Sequence, residues 1–592
     1  MAEHWYKQAV IYCVEVDSFQ DSDGDGIGDL RGLAGRLDYI ARLGATCLWL
    51  NPIHPSPLKD DGYDVTDYYA VDPRLGTLGD FADLLRLAAD RGLRVIMDLV
   101  VNHTSDQHPW FTSAVSDPES PYRDWYVWSD KEPDDRRQGM VFPGEQDETW
   151  TYSRKARAWY YHRFYDCEPD LDIANPRVRE EIKRITGFWA QLGVSGFRLD
   201  AAPFVIELTR PDEPDPPEDW NFLTELREHL SWIRGDAVIL AEANAKPARL
   251  PEFFGDAAGS GDRMHMLFDF QLNARLLLSL ARGDATPLRD VLRDSPKIPG
   301  SAQWASFLRL HDEADLSQLD DQERADVFAA FGPDPDMQLY GRGIRRRLAP
   351  MLGGDQARLR LAYALLLALR GTPVVRYGEE IGMGEDLRLH GRDAIRTPMQ
   401  WSEHRGGGFS TAPSQANASR LIRQGSFGYK HVNVTDQRRA PDSLLTFLEH
   451  AIRMRRECPE VGEGGASCLP LTGGDLPACV LAHRADSPSG SVLFLHNLAA
   501  TPTTVTPGPP ARHRPRLRRG LRRPALRRPD PRAHRPPAVA LRLSLDPPEP
   551  PYGLIAGIPV DPAVGIDATG AAKGGHHRVS VCSQRVLDTV RI

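Results

Sequence analysis

The stretch Gly196-Phe-Arg-Leu-Asp200 (GFRLD) is a short apolar run that ends in a carboxylate. Its Phe and Leu residues favour a buried strand, and the alternation of side chains along a strand places Arg198 and Asp200 on the same face. Parallel strands that are covered on both sides are typical of α/β proteins. GFRLD therefore predicts a central strand of an α/β fold, with an acidic group at its carboxyl end.

Seven further runs of this kind lie between residues 9 and 377. The eight runs are rich in Val, Ile, Leu and Phe, are bounded by Gly, Pro or Asp, and span residues 9–16, 46–51, 94–101, 196–201, 237–243, 264–270, 304–310 and 372–377. Apolar residues at helical spacing lie between several of them, at residues 30–43, 81–91, 176–192 and 356–369. This alternation predicts a closed (β/α)8 TIM barrel. A doubly wound open sheet is the alternative, but no GxGxxG motif follows the first strand.

Length and composition narrow the class of protein. A chain of 592 residues is too long for one compact core, and its net charge of -10 gives no reason to expect nucleic acid or an anionic membrane as partner. The amino terminus lacks the pattern of a signal peptide, and the longest apolar run is about half as long as a bilayer span, so we expect a cytoplasmic protein. The seven cysteines are scattered without a CxxC pair, which favours buried free thiols over zinc or a disulfide framework.

One connection in the barrel pattern is unusually long. It covers residues 103–175, after the third strand, and is rich in Trp, Tyr, Asp and Pro. Such a loop at the carboxyl end of a barrel strand is usually functional. We expect a first barrel part at residues 1–103, an inserted lid domain at 104–175 and a second barrel part at 176–440. A helical pattern at 444–458 and a strand-like run at 479–497 predict the start of a C-terminal β-domain at 441–507.

The tail, residues 508–592, differs abruptly in composition from the acidic remainder. Twelve arginines and no lysine fall between Arg512 and Arg542. A basic arm that binds nucleic acid is one interpretation. A reading-frame shift in a GC-rich gene, which would leave the β-domain incomplete, is the other, and we favour it because the change is so sharp. Both predict a poorly ordered segment.

Four predicted strands end in polar residues that a barrel would bring to one pocket. The segments are Asp98-Leu-Val-Val-Asn-His103, GFRLD, Glu242 within Leu240-Ala-Glu-Ala-Asn244, and His311-Asp312, after strands three, four, five and seven. Alone, an Asp at a strand end is more typical of a helix cap or a salt bridge. Together, the carboxylates and imidazoles predict nucleophilic and acid–base chemistry on a neutral polyol.

In this order the four segments resemble the conserved regions of the α-amylase superfamily, glycoside hydrolase family 13, over residues 5 to about 500. The resemblance implies a retaining mechanism in which Asp200 is the nucleophile and Glu242 the general acid and base. Asp312 would hold sugar hydroxyls and help to distort the ring. Arg198 would keep the nucleophile ionised, whereas Glu242 would need a less polar environment. The implied substrate-binding residues are Asp60, Tyr63, His103, Arg198 and His311.

The loop Asp21-Ser-Asp-Gly-Asp-Gly-Ile-Gly-Asp29 offers oxygen ligands at alternate positions, a pattern that suits calcium. It lacks the final Glu of an EF-hand, since Gly32 stands there, and an acidic turn without metal is the alternative. The loop resembles the calcium loop of the oligo-1,6-glucosidase and trehalose synthase branch. That resemblance implies a structural Ca²⁺, no organic cofactor, and as ligands the side chains of Asp21, Asp23, Asp25 and Asp29 with the carbonyl of Ile27. It also implies a second metal site at Asn102, Asp170 and Glu207, where Asn102 could instead cap a turn.

Longer segments resemble the trehalose synthase branch, whose members isomerise maltose to trehalose. They include Asn102-His-Thr-Ser-Asp-Gln-His-Pro-Trp-Phe111, Tyr126-Val-Trp-Ser-Asp130 and Arg396-Thr-Pro-Met-Gln-Trp401. The resemblance implies small α-glucosides as partners and a lid that excludes water while the cleaved glucose rotates. An α-glucosidase that hydrolyses maltose and short oligosaccharides is one alternative. A catalytically silent binding protein on the same barrel is another.

Three places beside the expected pocket depart from the family pattern. Leu310 replaces the Asn that usually precedes the last His-Asp, and Glu168-Pro-Asp-Leu-Asp172 replaces the usual Gln-Pro-Asp-Leu-Asn. Arg376 stands where an apolar residue or Tyr is commoner. These changes leave the ratio of isomerase to hydrolase activity open, and the carboxylate of Glu168 could alter the acceptor subsite.

Overall fold

The eight predicted strands form a closed parallel barrel in the computed structural model of the chain. In chain order they are Ile11–Val14, Cys47–Leu50, Arg94–Leu99, Gly196–Leu199, Val238–Ala241, Met266–Phe268, Gln303–Phe307 and Thr372–Arg376. Each strand pairs with its neighbours in the sequence, and the first closes the barrel against the eighth, so that Ile11 lies opposite both Cys47 and Val374. The prediction of a TIM barrel is confirmed, and the open sheet is excluded.

The structure describes residues 4–213, 215–255, 261–412, 415–463, 476–487 and 490–505, together with the backbone of the strands Leu469–Pro470, Leu543–Leu545, His576–Ser583 and Val586–Arg591. Apart from three of those strands, the interpretation of the tail at residues 508–592 lies outside the described residues. Within the described ranges, no helix has the length and apolar character needed to cross a bilayer.

Helices connect the strands and surround the barrel. They are Leu30–Gly35, Leu37–Leu43, Leu78–Ala89, Pro109–Ser116, Pro176–Leu192, Ala202–Val205, Asn221–Ile233, Leu250–Phe254, Phe270–Arg282, Thr286–Asp294, Asp321–Phe331, Leu348–Met351, Gln356–Ala368, Val434–Arg439, Leu444–Arg456 and Pro459–Glu463. The prediction of one continuous helix over residues 30–43 was wrong, because the helix is interrupted at Arg36. The backbone there leaves the helical region, and the guanidinium binds the side chain of Gln20 and lies 4.0 Å from the ring centre of Trp401.

The barrel interior is filled by alternate side chains of the strands. Ile11 and Cys13 point inward, where they pack with Trp49 and Phe307, whereas the alternate residues Tyr12 and Val14 face the helices. Full burial of an aromatic or aliphatic side chain of this size contributes about 1.5–3 kcal/mol. Cys13 and Cys47 are free thiols inside this packing, as expected from the sequence.

Two additions flank the barrel. The connection at residues 103–175 carries a short helix and a three-stranded antiparallel sheet of Trp128–Ser129, Trp150–Ser153 and Ala158–Tyr161. A further sheet, Leu469–Pro470, Val480–Ser487, Gly490–Asn497, His576–Ser583 and Val586–Arg591, lies beyond the barrel in the chain. The helix predicted at 444–458 is present as Leu444–Arg456, and the strand-like run at 479–497 is present as the two strands Val480–Ser487 and Gly490–Asn497. The bounds of the five domains stay predictions.

Gly371, just before the eighth strand, packs closely against the seventh strand, and this contact predicts an effect on stability. Gly371 has a φ of +95°, and an added Cβ atom would lie 2.5 Å from Oγ of Ser306 and 2.8 Å from the carbonyl oxygen of Trp304. We expect Gly371→Ala to lower the free energy of unfolding by about 2 kcal/mol or more. Gly35→Ala, at a helical position with open space around it, is the matched control and should change stability by less than about 1 kcal/mol. Equal thermal melting curves for the two variants would contradict the steric account.

Candidate active site

The three predicted catalytic carboxylates lie at the carboxyl end of the barrel. Asp200 follows the fourth strand directly, Glu242 follows the fifth, and Asp312 lies after the seventh. All three line one cavity of about 240 Å³. This placement follows from the fold, because the carboxyl ends of parallel barrel strands meet around one pocket.

One buried guanidinium connects Asp200 to Glu242. Arg198 is 2% exposed, and its Nη1 donates a hydrogen bond to Asp200. Its Nη2 donates to Oε2 of Glu242 at 2.6 Å. Arg198 and Asp200 share a strand face, as their spacing predicts. Because a single guanidinium spans both carboxylates, the two acids lie close together, which suits a retaining glycosidase, where about 5–5.5 Å separates them.

A hydrogen-bonded network continues from Arg198 beneath the cavity. Asp98 accepts hydrogen bonds from Nε1 of Trp49 at 2.7 Å and from the hydroxyl of Tyr63 at 2.8 Å. The same hydroxyl lies 2.7 Å from Nε2 of His311, and the rings of Tyr63 and His311 are stacked. These contacts fix the Tyr63 ring in the cavity wall. Asp98 had no role in the sequence-based prediction, although it opens one of the four quoted segments.

Two arginines that the sequence reasoning missed hold Asp312. Its Oδ1 accepts a hydrogen bond from Arg396 at 3.0 Å and lies 3.1 Å from Nη1 of Arg392. Arg396 also pairs with Asp61. Arg396 begins the quoted Arg-Thr-Pro-Met-Gln-Trp segment, which was a signal for it. Arg392 carries no comparable signal, because its contact depends on how the chain after the eighth strand folds back.

The three carboxyl groups differ in acidity. Burial raises the pKa of Asp200 to about 6, against the opposing effect of Arg198. Burial raises the pKa of Glu242 to about 7, also against Arg198, and the charges of Asp200 and Asp312 add to the rise. At Asp312 burial acts upward, but Arg392, His311 and Arg396 together hold its pKa well below the usual range. Between pH 6 and 7 an ionised Asp200 therefore coexists with a protonated Glu242, as a retaining mechanism requires.

The cavity wall combines acidic and basic side chains with an apolar part that includes five Phe rings. Its apolar lining comprises Val141, Phe142, Phe164, Ala201, Pro203, Phe204, Phe270, Phe307 and Leu310. Val141, Phe142 and Phe164 belong to the connection at residues 103–175, which was predicted as a lid and contributes this part of the cavity wall. Leu310 contributes apolar surface where the family usually has an amide.

The remaining predicted substrate residues are also at this site. Asp60 and His103 line the cavity with Tyr63. Burial raises the pKa of Asp60 to about 6, and burial lowers that of His103 to about 4. Arg198 and His311 lie behind the lining and contact it directly. The structure thus brings together all eight residues predicted for catalysis and substrate binding; their roles stay predictions.

The predicted calcium loop brings three of its acids together. One carboxylate oxygen from each of Asp21, Asp23 and Asp29 lies within 4.8 Å of the others. Oxygen donors in this arrangement fit a hard cation. Asp29 also caps helix Leu30–Gly35 through the amide of Gly32. Asp25 does not belong to this group; its carboxylate accepts from the amide of Ile27 instead. The loop is tied to the segment after the eighth strand, where Ser410 donates to Asp21.

The structure does not gather the second predicted metal site as a ligand set. Asn102 donates its amide nitrogen to Asp170 at 3.1 Å. Glu207 pairs instead with the guanidinium of Arg163, whose backbone amide donates to Asp170. Because Arg163 supplies the positive charge beside Glu207, a metal ion would have to displace it. The site stays a prediction.

Arg376, the third departure from the family pattern, forms a buried ion pair with Glu15. Its Nη2 donates to both carboxylate oxygens of Glu15, at 2.8 and 2.9 Å, and both side chains are buried. A buried arginine needs such a partner, since an unpaired charge would be strongly destabilising. The hydroxyl of Tyr377 also donates to Glu15.

A closed parallel barrel whose carboxyl end presents two close carboxylates in an aromatic cavity defines a glycoside-processing enzyme. Comparison with known proteins gives the family. The alpha-amylase catalytic domain matches residues 12–324 and 345–464, and the chain belongs to that family.

The chain is 42% identical to trehalose synthase/amylase TreS of Mycobacterium tuberculosis over 507 residues, which cover 85% of this chain and 83% of that protein. It is 44% identical to trehalose synthase/amylase TreS of Mycolicibacterium smegmatis over 464 residues, 78% of each chain. Among solved structures, the alpha-amylase from H. orenii superimposes with a TM-score of 0.68 at 29% identity, covering 84% of this chain and 91% of the other.

The acidities predict the pH dependence of turnover. A retaining mechanism with Asp200 as nucleophile and Glu242 as acid needs Asp200 ionised and Glu242 protonated, so kcat/KM should rise as pH increases through about 6 and fall as pH increases through about 7. Because the two groups interact, the two limbs belong to the pair. A profile of kcat/KM against pH checks this; a rate that stays flat from pH 5 to about 9 would contradict the assignment of acid and nucleophile.

Proposed function

We propose that this chain interconverts maltose and trehalose through a covalent glucosyl-enzyme intermediate. The observation that carries the proposal is the contact of one buried guanidinium with both Asp200 and Glu242 in a cavity covered by the lid. The names of the two mycobacterial relatives support the same reaction.

The first half-reaction cleaves maltose. Asp200 attacks the anomeric carbon of the non-reducing glucose while Glu242 donates its proton to the glycosidic oxygen. The bond from C1 to that oxygen breaks, an ester to Asp200 forms, and a neutral glucose is released into the cavity. Arg198 stabilises the carboxylate of Asp200 before the attack, and Asp312, which its arginines keep ionised, is suited to bind sugar hydroxyls.

The second half-reaction uses the same released glucose. After this glucose turns, its anomeric hydroxyl attacks the anomeric carbon of the glucosyl group on Asp200, and Glu242 accepts the hydroxyl proton. The bond to Asp200 breaks, which restores both carboxyl groups. Two inversions at one carbon give net retention, so attack by the α-anomer of the released glucose gives the α,α-linked disaccharide trehalose.

Contacts between the lid and the barrel support isomerisation, because the glucose must stay while water is excluded. Nη2 of Arg342 donates a hydrogen bond to the carbonyl of Val141 at 2.9 Å. The ring of Phe142 stacks on Tyr340 at 4.8 Å and lies 5.0 Å from the guanidinium carbon of Arg392. These contacts hold the part of the lid around Val141 and Phe142 against the cavity wall.

Hydrolysis of maltose by the same nucleophile is the second candidate, an α-glucosidase activity. It is favoured by Leu310, which lines the cavity where the family usually offers an amide to the sugar. A sugar held by fewer hydrogen bonds leaves more readily, and water then takes its place at the ester.

A structural calcium ion in the Asp21–Asp29 loop belongs to the proposal. The ion would join the loop after the first strand to the segment near Ser410, which already contacts Asp21. Small α-glucosides as ligands and a cytoplasmic location complete it.

Product analysis with maltose tests the function. Trehalose as the main product is the expected result, glucose alone would favour the hydrolase, and absence of turnover would contradict both. Asp200→Asn is the control: it keeps the shape of the side chain and its contact with Arg198, and should abolish turnover while the circular dichroism spectrum is unchanged.

The lid contact predicts the ratio of products. Arg342→Ala removes the hydrogen bond to Val141, which is equivalent to about 1 kcal/mol, so the ratio of glucose to trehalose should rise about fivefold. Arg137→Ala, an exposed arginine on the lid, is the matched control and should leave the ratio unchanged. A ratio that does not respond to Arg342→Ala would show that the lid contact does not retain the sugar.

Removal of calcium should destabilise the protein. An ion that binds only the folded state at 100 times its Kd stabilises by about 2.7 kcal/mol, so a chelator should lower the melting temperature and added Ca²⁺ should restore it. The variant Asp23→Ala should melt at the lower temperature with or without chelator. Asp83→Ala, on an exposed helix face, should respond like the natural protein. An unchanged melting curve in chelator would rule out a structural ion in the loop.

A further inference from the structure

The segment after the eighth strand carries Arg392 and Arg396 to the carboxylate of Asp312. The two arginines lie at opposite ends of a short 3-10 helix, Gly391–Ile395. Arg392 is the second residue of this helix, and Arg396 follows its last residue. Strand pairing in the barrel does not fix this segment, so the position of both guanidinium groups depends on other contacts.

A third arginine, Arg345, binds the main chain of this segment. Its side chain is buried, and its guanidinium donates four hydrogen bonds to main-chain carbonyl oxygens. The acceptors are Asp336, Leu387, Leu389 and Gly391, at 2.7, 2.9, 2.8 and 3.1 Å. Because Gly391 directly precedes Arg392, Arg345 anchors the main chain one residue before the guanidinium that meets Asp312.

The acceptors of Arg345 in the described part of the chain are all uncharged carbonyl groups. A buried cation is costly to desolvate, so these four bonds must offset the loss of its hydration. The same arrangement recurs two residues further on. Nε of Arg347 donates to the carbonyl of Ile395 at 3.0 Å, one residue before Arg396. Both arginines that meet Asp312 are therefore preceded by an anchored carbonyl.

The main chain at Arg345 is also tied to Asp312. Arg345 follows the short strand Gly343–Ile344, which pairs with Ala314–Asp315, two residues after Asp312. The buried guanidinium of Arg309 adds a second tie, because it donates to the carbonyl of Asp312 at 2.8 Å and to the carbonyl of the residue after Arg345 at 2.7 Å. The contacts thus form a closed path from Asp312 through Arg345 to the segment that returns to Asp312.

We infer that Arg345 is a positioning residue, which sets the place of Arg392 against Asp312, given the role at the sugar that the proposed function assigns to Asp312. Arg392 lines the substrate cavity and Arg345 does not, so Arg345 acts through Arg392. The shape of the guanidinium matters more than its charge. Its planar fork reaches carbonyls of two separate segments at once, which the single nitrogen of a lysine cannot do.

Release of 4-nitrophenol from 4-nitrophenyl α-glucoside tests the inference, because this step needs glucosyl transfer to Asp200 but not the later choice of acceptor. Arg345→Met removes the four hydrogen bonds and should lower kcat/KM by about ten- to a hundredfold. Arg345→Lys keeps the charge without the fork and should lie within about threefold of Arg345→Met. Activity equal to that of the natural protein in either variant would overturn the inference.

Arg392→Met provides the background that separates positioning from a general loss of structure. Because Arg345 acts through Arg392, the double variant Arg345→Met/Arg392→Met should be no more impaired than Arg392→Met alone. A general loss of folded protein would instead lower the rate by the same factor in both backgrounds, so losses that multiply would overturn the inference. Arg345→Lys carries the same comparison where Arg345→Met does not fold.

Arg388→Met is the matched control for the anchored segment. Arg388 lies between two of the bound carbonyls, but its side chain is 88% exposed and pairs with Asp386. Loss of an exposed ion pair has little effect, so this variant should keep kcat/KM within about twofold of the natural protein. A loss as large as that of Arg345→Met would show that any change in the segment impairs the site, and would overturn the specific role of Arg345.

The arginine Nε–H signal that disappears from the NMR spectrum in Arg392→Met gives a readout that needs no substrate. Nε of Arg392 donates to Glu313 at 2.9 Å, so its signal reports the position of that guanidinium. The signal should shift in both Arg345 variants and stay in place in Arg388→Met. An unchanged signal in the Arg345 variants contradicts the inference whether or not the proposed reaction occurs, whereas a shifted signal without turnover of maltose contradicts the proposed function alone.

Discussion

The site depends on one buried positive charge, the guanidinium of Arg198. It lies in contact with Asp200 and Glu242 and 3.6 Å from Asp98, so three acids share one cation beneath an apolar cavity. Each buried charge in such a network is stabilised by the opposite charges beside it, and removal of one side chain leaves an uncompensated charge. The arrangement also explains why two similar carboxyl groups differ in acidity, because Asp200 and Glu242 repel each other while they compete for one guanidinium.

The barrel supplies this geometry, and the loops supply its selectivity. Strand alternation alone places Arg198 and Asp200 on one face, and the closure of the barrel brings Glu242 and Asp312 to the same end. The connection at residues 103–175 then adds Phe142 to the cavity wall and the contact of Val141 with Arg342. A hydrolase and an isomerase can share the same barrel and the same carboxylates, so the difference between them lies in the loops.

The sequence predicted the fold, and it named residues that the structure brings together at one cavity, because both depend on local patterns. All eight strands were found, and each predicted run extends one to three residues beyond the carboxyl end of its strand. The interruption at Arg36 was not predicted, since it follows from contacts with Gln20 and Trp401 that are distant in the sequence. Arg392 and Arg342 were missed for the same reason. The second metal set was predicted from resemblance, whereas the structure places Arg163 beside Glu207.

The covalent ester on Asp200 is the central claim, and mass spectrometry of a trapped intermediate tests it most directly. The experiment incubates the variant Glu242→Gln with α-glucosyl fluoride. Fluoride leaves without an acid, so the first step can proceed, whereas the Gln side chain supplies no base for the second step. The account predicts that the peptide containing Asp200 gains the mass of one anhydroglucose unit. No gain in mass, or a gain on a peptide without Asp200, would contradict it.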